Sequence, residues 1–215
     1  MNTEPRSTKL IAAIESLWGE IQARHADVPD VMVTIGAGSE GRGSGLRLGH
    51  FAASRWVGGD DELHELFIGG EGLQQPAVEV LGTLLHEAAH GIAHTRGIQA
   101  TSRQGRYHNK RFEALAGEVG ITVALSPSIG YSTTTVPAVT AESYASHLKT
   151  LAGALTAWRR NEPRGTATGR TNTNNALPLT CSCPRKIRAS RTVLEAGAII
   201  CSICDDPFTT DETNE

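Results

Sequence analysis

The 215-residue sequence predicts a protein of mixed α+β class, because two periodic patterns of apolar residues occur in turn along the chain. In one pattern, apolar side chains recur every three or four residues, as on the buried face of an amphipathic helix. In the other, apolar and polar side chains alternate, as in a strand with one buried face. A third observation, the grouping of all four cysteines near residue 200, predicts a separate small module.

Helical spacing occurs in four segments. Residues 8–26 predict an amphipathic helix, and residues 76–94 predict a second helix that opens at a proline. A third helix fits residues 108–119, where Gly120 is a natural stop, and a fourth follows Thr140 as its N-cap. The apolar stripe of the fourth helix comprises Tyr144, Leu148, Leu151, Leu155 and Trp158.

Three segments read as strands. Residues 31–35 alternate between apolar and polar side chains, and residues 46–56 and 63–68 are two further candidates. The last of them is closed by Gly69 and Gly70 and lies shortly before the second helix. The predicted strands therefore precede the helix that carries the strongest chemical signal.

The net charge of −3 is unevenly distributed. Residues 1–158 carry 12 basic and 16 acidic groups, residues 159–191 carry eight basic groups and one acidic group, and residues 192–215 carry six acidic groups and neither Lys nor Arg. A basic band between acidic segments can contact a polyanion such as nucleic acid, or it can be a solvated linker. Residues 161–178 have almost no apolar content, which predicts a basic, low-complexity linker.

Several classes of protein do not fit the sequence. No apolar run approaches the ~20 residues that span a bilayer, and the segment MNTEPRSTKL lacks the apolar core of a secretory signal. A secreted protein stapled by disulfides would spread its cysteines through the fold, whereas all four lie between residues 181 and 204. We therefore expect a cytoplasmic protein with no membrane partner.

The strongest chemical signal is the HExxH motif of residues 86–90 within the second predicted helix. Positions i and i+4 lie on one helical face about 6 Å apart along the axis, so His86 and His90 can converge on one zinc ion. Glu87 can reach a water held by that ion, take its proton and pass it to the leaving amine. We expect the motif to lie on the polar face of the helix, opposite its apolar stripe.

Catalytic zinc takes three protein ligands and leaves one position open. His94 continues the i+4 series, but it would lie about 12 Å along the axis from His86, too far to share an ion. His108 is the better candidate, because the stripe of the third predicted helix would turn it toward the interior. Glu113 and Glu118 remain open as alternatives.

The cysteine module predicts a structural zinc site of four thiolates, with one intervening residue in the first pair and two in the second. A module of about 30 residues cannot build an adequate core alone, so metal binding would supply much of its folding energy. Residues 185–191 and 192–200 predict a hairpin between the two pairs. The four ligands are Cys181, Cys183, Cys201 and Cys204.

The basic residues between the two cysteine pairs can contact phosphates or line an exposed strand face. They are Arg185, Lys186, Arg188 and Arg191.

The run HEAAHGIAH followed by YHNKRFEALAGEVG, with a cysteine-rich tail, resembles the SprT-like metallopeptidases, which include the Spartan proteases. The resemblance is strongest over residues 76–120. It implies His86, His90 and His108 as zinc ligands and Glu87 as the catalytic residue. It also implies a zincin-like α+β fold, in which a small sheet packs on the catalytic helix and a zinc ribbon follows. Well-understood members cleave proteins attached to DNA, which implies a DNA-associated protein substrate.

These observations predict a metallopeptidase domain over residues 1–160, a basic linker over 161–178, a zinc ribbon over 179–210 and an acidic tail over 211–215. The predicted protein is a monomeric zinc metalloendopeptidase with one catalytic and one structural Zn²⁺, and it contacts DNA through the linker and ribbon. An extended substrate would pair with the edge of the strand at 63–68. The alternative is a non-catalytic, zinc-containing nucleic-acid-binding adaptor, against which the intact Glu87 argues.

Overall fold

The computed structural model describes residues 4–39, 45–58, 61–161 and 176–210, and the chain divides into two compact units, Met1–Glu162 and Pro163–Glu215. The described residues contain six α-helices and three small sheets, so the predicted α+β class is confirmed. Most of the predicted linker and all of the predicted acidic tail fall outside the described residues. Among the helices that the structure describes, none is both long and apolar enough to cross a membrane.

Three of the predicted helices are present in the first unit. They are α1 (Arg6–Arg24), α2 (Ala77–Thr95) and α3 (Lys110–Glu118). Helix α1 buries the stripe that its sequence predicts, and this stripe packs on α2 and on a later helix. Helix α3 begins two residues later than predicted, because the side chain of Asn109 accepts hydrogen bonds from the N–H groups of Arg111 and Phe112 as an N-cap.

The fourth predicted helix is wrong as one continuous element. The chain forms α4 (Ala138–Ser143) and α5 (Ala145–Ala154), which are separated at Tyr144. The Tyr144 side chain is buried with the guanidinium of Arg24 4.1 Å from its ring centroid, and Arg24 also binds the carbonyl of Ser143. These tertiary contacts favour the break over a regular helix.

Two further details of that prediction also fail. Thr140 does not cap a helix, since its hydroxyl donates to the carbonyl of Gly120 at 2.6 Å. Helix α5 ends before Leu155, and Trp158, the last residue of the predicted stripe, is 52 % exposed. A regular apolar spacing therefore does not extend the helix here, because the last large side chain has no core to face.

The three predicted strands form one sheet: β1 (Val31–Gly36), β2 (Gly49–Gly58) and β3 (Asp61–Gly69). Its order is β1-β3-β2, with β1 parallel and β2 antiparallel to β3. Strand β3 is therefore paired on both sides, and the expectation that its edge holds a substrate is wrong. In the part of the chain that the structure describes, β1 and β2 are the edge strands.

A second sheet was not predicted. It consists of β4 (Thr101–Ser102), β5 (Tyr107–His108), β6 (Thr122–Ser126) and β7 (Gly130–Thr135), in the order β4-β5-β7-β6. Two-residue strands are too short to show a period of two. The β-branched residues of β6 and β7 are the signal that could have revealed the longer hairpin.

Helix α2 is buried on more than one face. It packs against α3, β2 and β7 as well as against α1, so the expected solvent-facing polar side is covered. Glu87 is only 5 % exposed, and Ala88 and Ala89 are fully buried. The HExxH motif therefore lies inside the first unit and not on an open helical face.

The second unit contains β8 (Leu177–Thr180), β9 (Lys186–Ala189) and α6 (Arg191–Ala196). Strands β8 and β9 pair antiparallel, so the predicted hairpin of residues 185–191 with 192–200 is wrong. Ser190 caps α6 by accepting from the N–H of Val193, and this cap starts a helix where the second arm was expected. The buried core of the unit comprises Leu179, Cys181, Ala189, Cys201 and Phe208.

Candidate metal centres

Helix α2 presents the first part of a histidine cluster. His86 and His90 are one helical turn apart, and their ring centroids are 5.2 Å apart. Phe112 of α3 packs against both rings at a centroid distance of 4.6 Å. The helix supplies the spacing, and the aromatic ring limits how far either imidazole can turn away.

His108 completes the cluster from a different element. It lies in β5, immediately before the Asn109 cap of α3, and not on the helical stripe from which its inward orientation was inferred. Its Nε2 is 2.9 Å from Nε2 of His90, and one nitrogen from each of the three rings lies within 4.8 Å of the others. The structure thus brings His86, His90 and His108 together as the sequence predicts.

The other side-chain nitrogens of two of these rings have protein partners. Nδ1 of His86 is 3.0 Å from Oγ1 of Thr134. Nδ1 of His108 is 2.6 Å from Oγ of Ser132 and 3.3 Å from the carbonyl oxygen of Ile129. Both hydroxyls belong to β7, which the sequence analysis did not identify. The run of Ser and Thr residues in this segment is the sequence signal that could have revealed the strand.

The electrostatics of the cluster keep its imidazoles neutral. Burial, together with the nearby His108, lowers the pKa of His86 to about 3. Burial and the two neighbouring rings hold the pKa of His90 well below its usual range, and burial also lowers the pKa of His108. Neutral imidazoles have the lone pairs that a metal ion requires.

The histidine cluster fits a zinc ion. Zn–N bonds of about 2.0–2.1 Å in tetrahedral geometry separate two ligand nitrogens by about 3.3 Å. The observed separations, 2.9 Å for one pair and no more than 4.8 Å overall, need only small ring movements to reach this value. Three neutral nitrogen donors, two of which have polar partners on their outer side, are the kind of donor set that catalytic zinc sites use.

Glu87 lies beside this cluster as a buried carboxylate. Burial raises its pKa to about 7, although the hydrogen bond from the N–H of Phe51 acts in the opposite direction. That bond is possible because β2 approaches α2 closely at Gly49, where a Cβ would lie 3.3 Å from Cγ of Glu87 and 2.7 Å from Cγ2 of Thr83. A carboxyl with a pKa near neutrality can both accept and release a proton.

The rival third ligands lie elsewhere in the first unit. His94 is exposed and packs its ring edge against His64 at a centroid distance of 4.9 Å. Glu118 pairs with the guanidinium of Arg96 at 2.6 Å. Neither His94 nor Glu118 nor Glu113 belongs to the group of donors around His108.

The four cysteines of the second unit also come together. All four are free thiols whose sulfur atoms lie within 4.8 Å of one another. Sγ of Cys183 is 3.3 Å from Sγ of Cys181 and 3.6 Å from Sγ of Cys201. Hydrogen bonds from the backbone N–H groups that follow Cys201 lower the pKa of its thiol, which favours the thiolate that a metal ion binds.

The basic residues of the second unit divide into two groups. Nη1 of Arg185 is 3.6 Å from Sγ of Cys201, so this guanidinium donates to one sulfur of the cysteine cluster and its positive charge favours the thiolate there. Lys186 and Arg188 are two residues apart on β9 and lie exposed on one face of that strand. Arg191 is exposed at the start of α6. All four side chains of the predicted phosphate-contacting set, Arg185 included, are solvent-exposed.

Comparison of the chain with family models, with curated proteins and with solved structures finds no match.

Proposed function

We propose that the protein is a zinc-dependent metalloendopeptidase of the SprT-like type. One observation supports the proposal: Glu87, a buried carboxylate, directly follows His86 on α2, and nitrogens of His86, His90 and His108 converge. Zinc sites with a purely structural role have no need of an acidic neighbour. His86, His90 and His108 would hold the ion, and Glu87 would be the general base.

The chemistry follows from these groups. A zinc ion held by His86, His90 and His108 would lower the pKa of a water and polarise the peptide carbonyl. Glu87 takes a proton from the attacking water as the bond to the carbonyl carbon forms. It then gives that proton to the amine nitrogen as the peptide bond breaks. The carboxylate ends the cycle in its initial state, because the proton it takes from the water is the proton it gives to the amine.

The edge of β2 is the proposed place for an extended substrate. It is an edge strand in the described part of the chain, and its Phe51 N–H points to Glu87 instead of to β3. A peptide laid along this edge would form backbone hydrogen bonds with β2 and pass the carboxylate. This replaces β3, whose two edges are already paired.

The second unit would hold a structural zinc ion and recruit the enzyme. Its small core includes two of the four cysteines, so metal binding would contribute directly to its folding. The exposed Lys186 and Arg188 suit phosphate contacts with DNA. The exposed basic side chains also support the second candidate, a nucleic-acid-binding adaptor without catalytic activity. That candidate does not explain the presence of Glu87.

Cleavage of an unfolded protein and of DNA-bound histone, each with and without DNA, separates the two candidates. Glu87→Gln should abolish cleavage while the zinc content stays at the wild-type value. The matched control is Glu79→Gln, which changes an exposed residue of the same helix and should leave cleavage unchanged. Equal cleavage by wild type and Glu87→Gln would eliminate the peptidase and leave the adaptor.

A further inference from the structure

Strand β7 carries two hydroxyl side chains toward the histidine cluster. Ser132 and Thr134 lie two residues apart on β7, and Ser132 falls where the pairing with β6 shifts register. One hydroxyl meets Nδ1 of His108 at 2.6 Å and the other meets Nδ1 of His86 at 3.0 Å. Thr133, between them, is exposed.

The hydrogen bonds around the carbonyl group of Ile129 indicate which ring nitrogen of His108 carries the proton. The carbonyl oxygen of Ile129 accepts from the backbone N–H of His108 at 3.0 Å and from the hydroxyl of Ser132 at 2.8 Å. It also lies 3.3 Å from Nδ1 of His108. A carbonyl can only accept, and the hydroxyl of Ser132 lies within donating distance of it, so a proton on Nδ1 of His108 is the arrangement that gives both oxygens a compatible partner.

The consequence is a free lone pair on the other ring nitrogen. A neutral imidazole with a proton on Nδ1 has none on Nε2. Nε2 of His108 is the atom that faces His90 at 2.9 Å. On His86, Oγ1 of Thr134 lies 3.0 Å from Nδ1, and if Nδ1 is the donor of this bond the lone pair of that ring is on Nε2.

Gly130 makes this arrangement possible. It has a φ of +74°, and a Cβ at this position would lie 2.0 Å from the carbonyl oxygen of His108. Only glycine tolerates such a close approach of the two backbones. The approach brings Ile129 and Ser132, on either side of the glycine, to the His108 ring.

We propose that Ser132 and Thr134 are positioning residues that hold His108 and His86 as Nδ1–H tautomers, with each Nε2 directed to a shared metal ion. The site is then arranged before the metal binds. This inference rests on the metal site of the proposed function, and it does not depend on peptide hydrolysis.

Variants that remove only the hydroxyls test the proposal. Ser132→Ala and Thr134→Val each keep the approximate shape of the side chain, and each should weaken metal binding about 10- to 100-fold, as the loss of a hydrogen-bond partner behind a ligand does. Ser132→Thr and Thr134→Ser keep a hydroxyl and should restore binding to within about threefold of wild type. Thr133→Ala, which removes an exposed hydroxyl of the same strand, is the matched control and should bind as wild type does.

Metal affinity is measured on the full-length protein by titration with Co²⁺. Thiolate ligands give intense charge-transfer absorption and imidazole ligands do not, so the cysteine and histidine sites are followed separately. A selective loss at the histidine site in Ser132→Ala, with recovery in Ser132→Thr, supports the proposal. Unchanged affinity in both Ser132→Ala and Thr134→Val would overturn it.

A second measurement needs no variant. Nitrogen-15 NMR of the imidazole rings in the metal-free wild-type protein reports which nitrogen carries the proton. We expect the His108 ring to carry it on Nδ1, and a proton on Nε2 would refute the proposal whatever the variants do. If the tautomer and the affinities are as expected but no protein is cleaved, the proposed peptidase fails and the positioning role stands.

Discussion

The backbone N–H of Phe51 donates a 2.8 Å hydrogen bond to Oε2 of Glu87, although the two residues lie 36 positions apart in the sequence. The bond fixes one carboxylate oxygen to β2. The Glu87 carboxylate is thus oriented by the sheet and not only by its own helix. We therefore expect the proposed activity to depend on how closely β2 packs against α2.

Replacing Gly49 with alanine should separate these two elements. The added Cβ would meet Cγ2 of Thr83 at 2.7 Å and the carbonyl oxygen of Phe67 at 3.2 Å, so β2 must move away from α2. We expect a loss of about 1–3 kcal/mol in the free energy of unfolding, measured by urea denaturation, together with reduced peptidase activity. Gly45→Ala, where a Cβ meets nothing within 4 Å, is the control. Equal stability of the two variants would show that β2 and α2 can accommodate a Cβ at position 49 without moving apart.

The choice of third metal ligand can be tested by zinc analysis. His108→Ala should lose the zinc ion of the first unit, because it removes one of the three converging nitrogens. His94→Ala should keep that ion, since its exposed ring contacts His64 instead. Mass spectrometry of the metal content distinguishes them. Retention of the ion by His108→Ala would return Glu113 and Glu118 to consideration.

The cysteine cluster predicts a second metal ion with a role in folding. The wild-type protein should contain about two zinc ions per chain, falling to one when all four cysteines become serines. Because the second unit has few buried apolar residues, its amides should lose hydrogen-exchange protection in that variant. Ser182→Ala, an exposed change within the first cysteine pair, should retain both ions. Two ions in the four-serine variant would place the second metal elsewhere.

Glu71 should make the first unit sensitive to acid. Burial raises its pKa, but hydrogen bonds from the N–H of Gly38 and from Ser39 outweigh burial and bring the pKa to about 2. Arg159 pairs with the same carboxylate at 3.1 Å. A pKa below the ordinary 4.5 means that the stabilisation is complete above that pH and is lost as the pH falls toward 2.

Glu71→Gln measures this contribution. It should reduce the free energy of unfolding by about 1.5–3 kcal/mol at pH 7, because a charged acceptor of several hydrogen bonds is lost. The difference from wild type should shrink as the pH is lowered from 4.5 toward 2. Glu15→Gln changes an exposed carboxylate of α1 and should have little effect. A difference that does not vary with pH would contradict the ionised state of Glu71.

Much of the fold could be predicted from local patterns. The stripes of α1 and α2 and the three strands of the first sheet were recognisable because each element is long enough to show its period. The sheet of β4 to β7 was missed because two of its strands are only two residues long. The break at Tyr144 was also missed, because its cause, Arg24, lies on a distant helix.

The sequence by itself determined the donor groups: two histidines one helical turn apart, an adjacent glutamate and four cysteines with metal-ligand spacing. Their residue types and short separations follow from helix and knuckle geometry, which are local properties of the chain. Only the tertiary structure decided that His108 joins this pair from a strand and that β2, not β3, is an edge strand. It also decided that hydroxyl groups of β7 contact the Nδ1 atoms of two of the imidazoles. Those relationships depend on how distant segments pack, and no periodicity within one segment encodes them.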